Sequence, residues 1–364
     1  MNFRPDARSE GVFLMKTSLV TGATGQDGSY LIRKLLSEGR RVCALIRRAS
    51  TSNMSRLSDL REGIQSNGSE LIYCTGDLTD TPSLMRTLGE FEPDEVYNLA
   101  AQSDVRLSFD VPEFTGEVDG MGALRLLESI RRLGLAEKTR FYQASTSELF
   151  GDVREKPQRE TTPFAPRSPY AIAKLFAYWT TVNYREAFGV FACNGILFNH
   201  ESPLRGENFV TRKITLGAAR LRAGLQEKLL LGNLDARRDW GHAQDYVEGM
   251  YLMLQQDKPD DYVLATGEQR SVRDFLETVF NKLGYELVWS GTGADEKGKD
   301  RKTGRVLVEI DPQFYRPAEV NYLCGDATKA ADKLGWSPKH TFDELVDDML
   351  QHDIKQVERE ILHR

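Results

Sequence analysis

The stretch Thr17-Ser18-Leu19-Val20-Thr21 reads as a short buried strand that runs straight into Gly22-Ala23-Thr24-Gly25-Gln26-Asp27-Gly28, after which a helix-period pattern begins. No other feature restricts the fold of this chain as much. Glycines at i, i+3 and i+6 remove the Cβ atoms that would hold a pyrophosphate at a distance. The helix that follows offers its free N-terminal N–H groups to the same anion. Strand, glycine turn and helix in that order open a doubly wound parallel sheet.

The pattern downstream agrees. Short apolar runs at Val42–Ile46, Leu71–Cys74, Glu95–Ala100, Phe141–Ala144 and Phe191–Phe198 alternate with helix-period segments near Thr81–Leu88, Val118–Leu133 and Tyr170–Phe188. Strands alternating with helices imply parallel βαβ units. Beyond Asn199 the rhythm loosens. Helices are expected near Val210–Ala223, Ala243–Leu254, Val272–Leu283 and Phe342–Glu360, with capping boxes at Ser271/Asp274 and Thr341/Glu344. Gly291–Arg305, rich in Gly, Lys and Asp, is expected to be a mobile surface loop. The fold class is therefore α/β, a Rossmann-type sheet with a smaller C-terminal α/β lobe. The expected division is an N-terminal extension at 1–16, a dinucleotide-binding domain at 17–200 and a substrate lobe at 201–364, with the chain free to interleave between the last two.

Composition excludes several classes. A net charge of −6 gives no support for a nucleic-acid surface. No apolar run approaches the roughly 18 residues of a membrane span, and Met1–Gly11 lacks the apolar core of a secretory signal. Cys43, Cys74, Cys193 and Cys324 are widely spaced with no histidine at ligand spacing, so reduced thiols in a cytoplasmic enzyme are expected and no metal.

The chemistry is carried by Ser145-Thr146-Ser147-Glu148 after the Phe141–Ala144 strand, and by Tyr170-Ala171-Ile172-Ala173-Lys174. Tyr and Lys four apart share one helix face. The ammonium is expected to draw the phenol pKa down toward the range of a general base. Glu148 adds a second base, which a plain dehydrogenase does not need, so oxidation followed by elimination is expected. The segment after the second strand, Arg47-Arg48-Ala49-Ser50, places two guanidinium groups where an NAD site usually has an acid. They suit a 2′-phosphate, making NADP the expected cofactor. The alternative is a solvated loop or a subunit contact. Asp77 and Leu78 are expected at the adenine, and Leu99, Ala100, Ala101, Gln102 and Ser103 along the nicotinamide half.

These residues, with Phe198-Asn199-His200-Glu201-Ser202-Pro203, Asn208-Phe209-Val210-Thr211-Arg212-Lys213, Arg238-Asp239-Trp240-Gly241-His242 and Tyr315-Arg316-Pro317, make a recognisable set. The chain resembles the extended short-chain dehydrogenases that modify nucleotide sugars, and most closely the GDP-mannose 4,6-dehydratase family. That resemblance implies a GDP-sugar substrate and homo-oligomerisation. Tyr170 would deprotonate the C4 hydroxyl, Lys174 would support it and hold the nicotinamide ribose, Thr146 would orient the C4 oxygen, and Glu148 would remove the C5 proton. It also implies cofactor contacts from Gly22, Thr24, Gly25, Gln26, Asp27, Gly28, Phe114, His200 and Arg205. Substrate contacts are implied for Asn199, Asn208, Arg212, Lys213, Arg238 and Arg316. Leu204, Ala165 and Phe114 depart from the family pattern, in which Arg, Tyr and Tyr are expected. The changes would suit a bulkier sugar such as a GDP-manno-heptose. An epimerase or reductase is one further alternative, and a non-catalytic nucleotide-binding protein on the same fold is another.

Overall fold

A computed structural model of the protein describes residues 15–48, 54–315, 320 and 322–363. Most of the expected N-terminal extension, together with Ser50 and Arg316, lies outside them.

The first half is a run of strand–helix units. β1 (Thr17–Thr21) leads into α1 (Gln26–Ser37), followed by β2 (Arg41–Ile46), β3 (Gly63–Ile64), β4 (Glu70–Thr75) and α2 (Thr81–Phe91). Then come β5 (Glu95–Asn98), α3 (Pro112–Thr115), α4 (Gly122–Arg132), β6 (Arg140–Ala144), α5 (Pro169–Phe188) and β7 (Ala192–Leu197). The expected Val118–Leu133 helix is interrupted at its start. Gly116–Met121 forms a wide π-helical turn, and regular α-helix begins only at Gly122.

After β8 (Asn199–Glu201) and α6 (Val210–Arg222) the elements shorten to β9 (Leu229–Leu231), β10 (Arg237–Arg238) and β11 (Trp240–His242). α7 (Ala243–Met253), β12 (Tyr262–Leu264), β13 (Arg270–Ser271) and α8 (Val272–Lys282) follow. The chain ends with β14 (Leu287–Ser290), β15 (Lys297–Asp300), β16 (Val306–Ile310), α9 (Thr328–Leu334) and α10 (Phe342–Leu362). Both expected capping boxes form, at Ser271/Asp274 and Thr341/Glu344.

Among the described residues the main sheet has the order β12-β7-β6-β5-β1-β2-β4-β3, parallel except for β3. Strand order reverses between β1 and β5, so a crevice opens at their carboxyl ends, where such sheets bind ligands. Leu31, Leu35 and Leu36 of α1 are buried against this sheet as the helical period requires. The chain also returns to the main sheet late. Tyr246 and Met250 of α7, Tyr262–Leu264 of β12, and Trp336 join the same core as Val20, Tyr97 and Tyr142.

A second core gathers Ile214, Phe275, Phe280, Val308, Leu345 and Met349 around the sheet β14-β15-β16-β9. The Gly291–Arg305 loop expectation is overturned here, because Lys297–Asp300 is a strand paired on both edges. Its composition hides a period of two. Gly298 and Asp300 are buried while Lys297 is exposed. Gly298 lies against Trp289, where an added Cβ would sit 3.0 Å from the ring. Asp300 closes the turn by accepting from Thr303 Oγ1 (2.6 Å) and Thr303 N (3.1 Å).

Candidate active site

The glycine turn is built for close approach. Gly22 has φ +66°, and a Cβ there would lie 2.7 Å from Ala100 N. At Gly28 it would lie 2.2 Å from Gly22 O, so α1 can start this close to the turn only without a side chain. Gly25 caps α1 with no side-chain hydrogen bond, which leaves the first-turn amides to an anion. Thr21 Oγ1 accepts from Leu99 N (3.0 Å) and Ala100 N (3.1 Å), locking the ends of β1 and β5 together across the crevice. Thr24 stands half-buried in the turn. This cradle fits a dinucleotide pyrophosphate.

Other expected cofactor contacts are occupied elsewhere. Gln26 Nε2 donates to His200 O (3.1 Å) and Gln26 Oε1 accepts from Ser202 Oγ (2.8 Å). Asp27 Oδ2 meets His200 Nε2 at 2.9 Å. These side chains bind the start of α1 to β8. Burial opposes the charge on Asp27, but His200 lowers its pKa overall and is itself raised in return. Asp77 accepts from Thr79 N and Oγ1 in a local turn, and Leu78 is buried beneath Gly122. Gln102 uses its amide group on Asp104 and Thr115, Ala101 is half-buried and Ser103 is exposed. Phe114 is 45% exposed on α3. Arg47 and Arg48 stand exposed at the end of β2, with no ion-pair partner among the described residues.

Thr146, Glu148, Tyr170 and Lys174 come together at the carboxyl end of β6 and the first turns of α5, all of them buried. Ser168 caps α5 by accepting from Ala171 N (3.1 Å), and Pro169 presets its first turn. Thr146 caps the short turn Ser147–Leu149, accepting from Glu148 N at 3.2 Å. The expectation for the phenol is reversed. Tyr170 is raised, first by burial and then by the Asp119 charge, with a Thr146 hydrogen bond opposing and Glu148 adding to the rise. Lys174 Nζ instead donates to Ala144 O at 3.1 Å and lies 5.8 Å from the Tyr170 ring centroid. Helical spacing puts both residues on one face, but the interior backbone carbonyl captures the ammonium.

On the substrate side, Arg212 is not available for a pyrophosphate. It is 4% exposed, ion-paired to Asp353 of α10 at 2.7 Å, and hydrogen-bonded to Gln356 and to the carbonyls of Pro203 and Arg205. Asn208 Nδ2 donates to Asp104 (2.9 Å). Arg238 is buried and donates to Arg237 O (2.9 Å). Lys213 lies over the Phe314 ring at 3.2 Å, its pKa lowered by burial. Asn199 is half-buried on β8. Arg205 pairs with Glu201 at 3.0 Å, and its charge reaches Tyr170, Asp27 and His200.

Two residues at this site escaped sequence reasoning. Arg56 ties the glycine turn to the 202–205 segment, donating to Thr24 O (3.0 Å) and Leu204 O (2.7 Å). Asp119 lies buried in the π-helical turn. Neither occupies a motif position, and the only signal for Asp119 was an acid on the inward side of an amphipathic segment. A separate cleft of about 600 Å³ beside Thr266, Cys324 and Trp336 includes none of the four catalytic candidates. Side-chain chemistry, rather than cleft size, identifies this site.

The sequence matches the family model described as GDP-mannose 4,6 dehydratase over residues 19–349. It is 54% identical to a GDP-mannose 4,6-dehydratase of Vibrio cholerae over 359 residues, covering 96% of each chain. To the Homo sapiens GDP-mannose 4,6 dehydratase it is 52% identical over 358 residues, again 96% of each. The fold is similar to that of Thermus thermophilus UDP-glucose 4-epimerase in complex with NAD. The TM-score is 0.74 at 26% identity, covering 93% of this chain and 98% of the other.

Proposed function

The chain belongs to the GDP-mannose 4,6-dehydratase family, and from that membership we propose that it converts GDP-D-mannose into GDP-4-keto-6-deoxy-D-mannose and water. The observation that carries this reading is Glu148, a second buried base beside the Thr146/Tyr170/Lys174 group. An epimerase or reductase has no step for it.

A nicotinamide cofactor, when bound, would supply the hydride chemistry between C4 and C6 and, in its oxidised form, positive charge. The glycine turn from Gly22 to Gly28 would hold its pyrophosphate. Arg47 and Arg48 would hold a 2′-phosphate, which favours NADP over NAD. Tyr170, as phenolate, takes the C4 hydroxyl proton, and Thr146 holds the C4 oxygen in line. Burial keeps the phenol protonated and the Arg205 charge opposes it; Lys174, 5.8 Å from the ring centroid, would add positive charge on the same side. Once C4 is a ketone the C5 proton is acidified, and Glu148 removes it as the C6 hydroxyl departs as water. The two protons held by Tyr170 and Glu148 are returned, one to the departing C6 hydroxyl and one to C5, so the reaction has no net redox change.

Lys213, over the Phe314 ring and with no carboxylate within ion-pair distance among the described residues, would meet a substrate phosphate. Four buried free thiols support a reducing, cytoplasmic setting, and no described helix is long and apolar enough to cross a membrane. Homo-oligomerisation is part of the same proposal. GDP-mannose deuterated at C4 tests the reaction. Deuterium recovered at C6 of the product supports it. Release of the label to solvent, or a product that keeps its C6 oxygen, refutes it. Turnover of a GDP-manno-heptose in preference to GDP-mannose would retain the chemistry and change the sugar.

A further inference from the structure

Asp119 is a buried carboxylate that the reaction above does not use. It is 1% exposed, within the π-helical turn Gly116–Met121. Its Oδ1 accepts the Gln102 N–H at 2.7 Å, while Oδ2 is buried with no hydrogen-bond partner. A half-satisfied interior carboxylate is destabilising unless a further interaction offsets its burial. The wide turn sets where it sits. The adjacent Gly120 is pressed onto α5, where a Cβ would lie 3.4 Å from Ala173 O and 3.3 Å from Phe176. Asp119 is thereby seated against the helix turns that carry Tyr170 and Lys174. Lys174 is 3% exposed, donates to Ala144 O, and has no carboxylate within 4 Å among the described residues.

Resting on the dehydratase reading, we propose that Asp119 is a positioning residue whose carboxylate keeps Lys174 in its ammonium form inside the protein, so that a positive charge remains available to Tyr170. Charged neighbours act on all three groups. Lys174 feels Asp119 and, from α1, Asp27, which is itself engaged by His200. Tyr170 feels Asp119, Glu148 and Arg205. Burial lowers Lys174, and Asp119 is the first of the charges opposing that fall. Burial likewise pushes Asp119 up to about 6, against the pull of Lys174 and the Gln102 amide. The carboxylate also disfavours the phenolate directly, so its benefit to Tyr170 passes through the lysine.

Asp119→Asn keeps the acceptor for Gln102 N–H and removes the charge. Competitive acetylation of Lys174 with acetic anhydride, read by mass spectrometry across a pH series without added nucleotide, reports the lysine titration directly. The variant is expected to lose the Lys174 proton about one pH unit or more below the parent. Turnover is expected to fall about tenfold or more with KM for GDP-mannose unchanged, and its alkaline limb to move to lower pH. An unchanged Lys174 titration overturns the proposal. Should Asp119→Asn fail to fold, Lys174→Met provides the second measurement. An unbalanced Asp119 makes that variant lose stability relative to the parent as pH rises above 6, and a constant difference overturns the proposal. The acetylation needs no substrate. Absence of dehydratase activity in the parent would therefore sink the functional reading without touching this one.

Discussion

His200 meets Asp27 across 2.9 Å and so fastens β8 to the first turn of the glycine helix. His200 also stacks on Tyr246 of α7, with ring centroids 4.5 Å apart. One imidazole thus joins three segments far apart in the chain.

The pair should leave a pH signature in stability. His200 has a raised folded pKa, so its contribution is complete below the unfolded value near 6.5 and is lost as pH rises through the folded value. Asp27 has a lowered folded pKa, so its contribution is present above the unfolded value near 3.8 and is lost as pH falls through the folded value. Both act together between about pH 4 and 6.5. In urea unfolding, His200→Gln should be less stable than the parent by about 1–2 kcal/mol near pH 5.5, with a smaller deficit near pH 8.5. An equal deficit at both would remove the charge from the explanation.

Arg212 and Asp353 should behave as a structural pair. Asp353 is fully buried and also accepts from Thr215 Oγ1 at 2.6 Å. Asp353→Asn strands a buried guanidinium and should destabilise the protein by about 3–5 kcal/mol. Arg212→Met with Asp353→Leu should be milder than either single change, which a double-mutant cycle in urea would measure. A large rise in KM for the sugar nucleotide at unchanged stability in Arg212→Met would return the residue to the substrate site.

Glu148→Gln should abolish elimination while leaving oxidation at C4. Turnover is expected to fall by about 10²–10⁴, with reduced nicotinamide accumulating in the absorbance spectrum and no solvent deuterium entering C5. Normal turnover would end the role assigned to this carboxylate.

Replacing Arg47 and Arg48 by alanine should weaken NADP far more than NAD. Loss of charge-assisted contacts to a 2′-phosphate is expected to lower the ratio of their affinities by about 10–100-fold. Isothermal titration with both dinucleotides measures that ratio, and an unchanged value would mean the pair serves another surface.

How far the site was legible depended on the range of the rule involved. The Gly22/Gly25/Gly28 turn and the Tyr170/Lys174 spacing could be read because turn geometry and helical period act within a few residues. Lys297–Asp300 was misread because its strand exists only through pairing with β14 and β16. The partner of Arg212 was not legible, because a guanidinium in a family string looks the same whether it faces a phosphate or a buried carboxylate 141 positions away. Gln26 and Asp27 sit inside the glycine turn yet bind β8, a choice that needs β8 in place.

The sequence by itself determined the parallel sheet, the glycine turn and the four candidate catalytic residues, because backbone conformation and side-chain periodicity are local properties. Only the tertiary structure decided which charges are used up in holding it together, what the Lys174 ammonium binds, and that Asp119 is buried. Those outcomes follow from desolvation and from Coulomb forces between distant segments, which operate only once the chain has closed and excluded water.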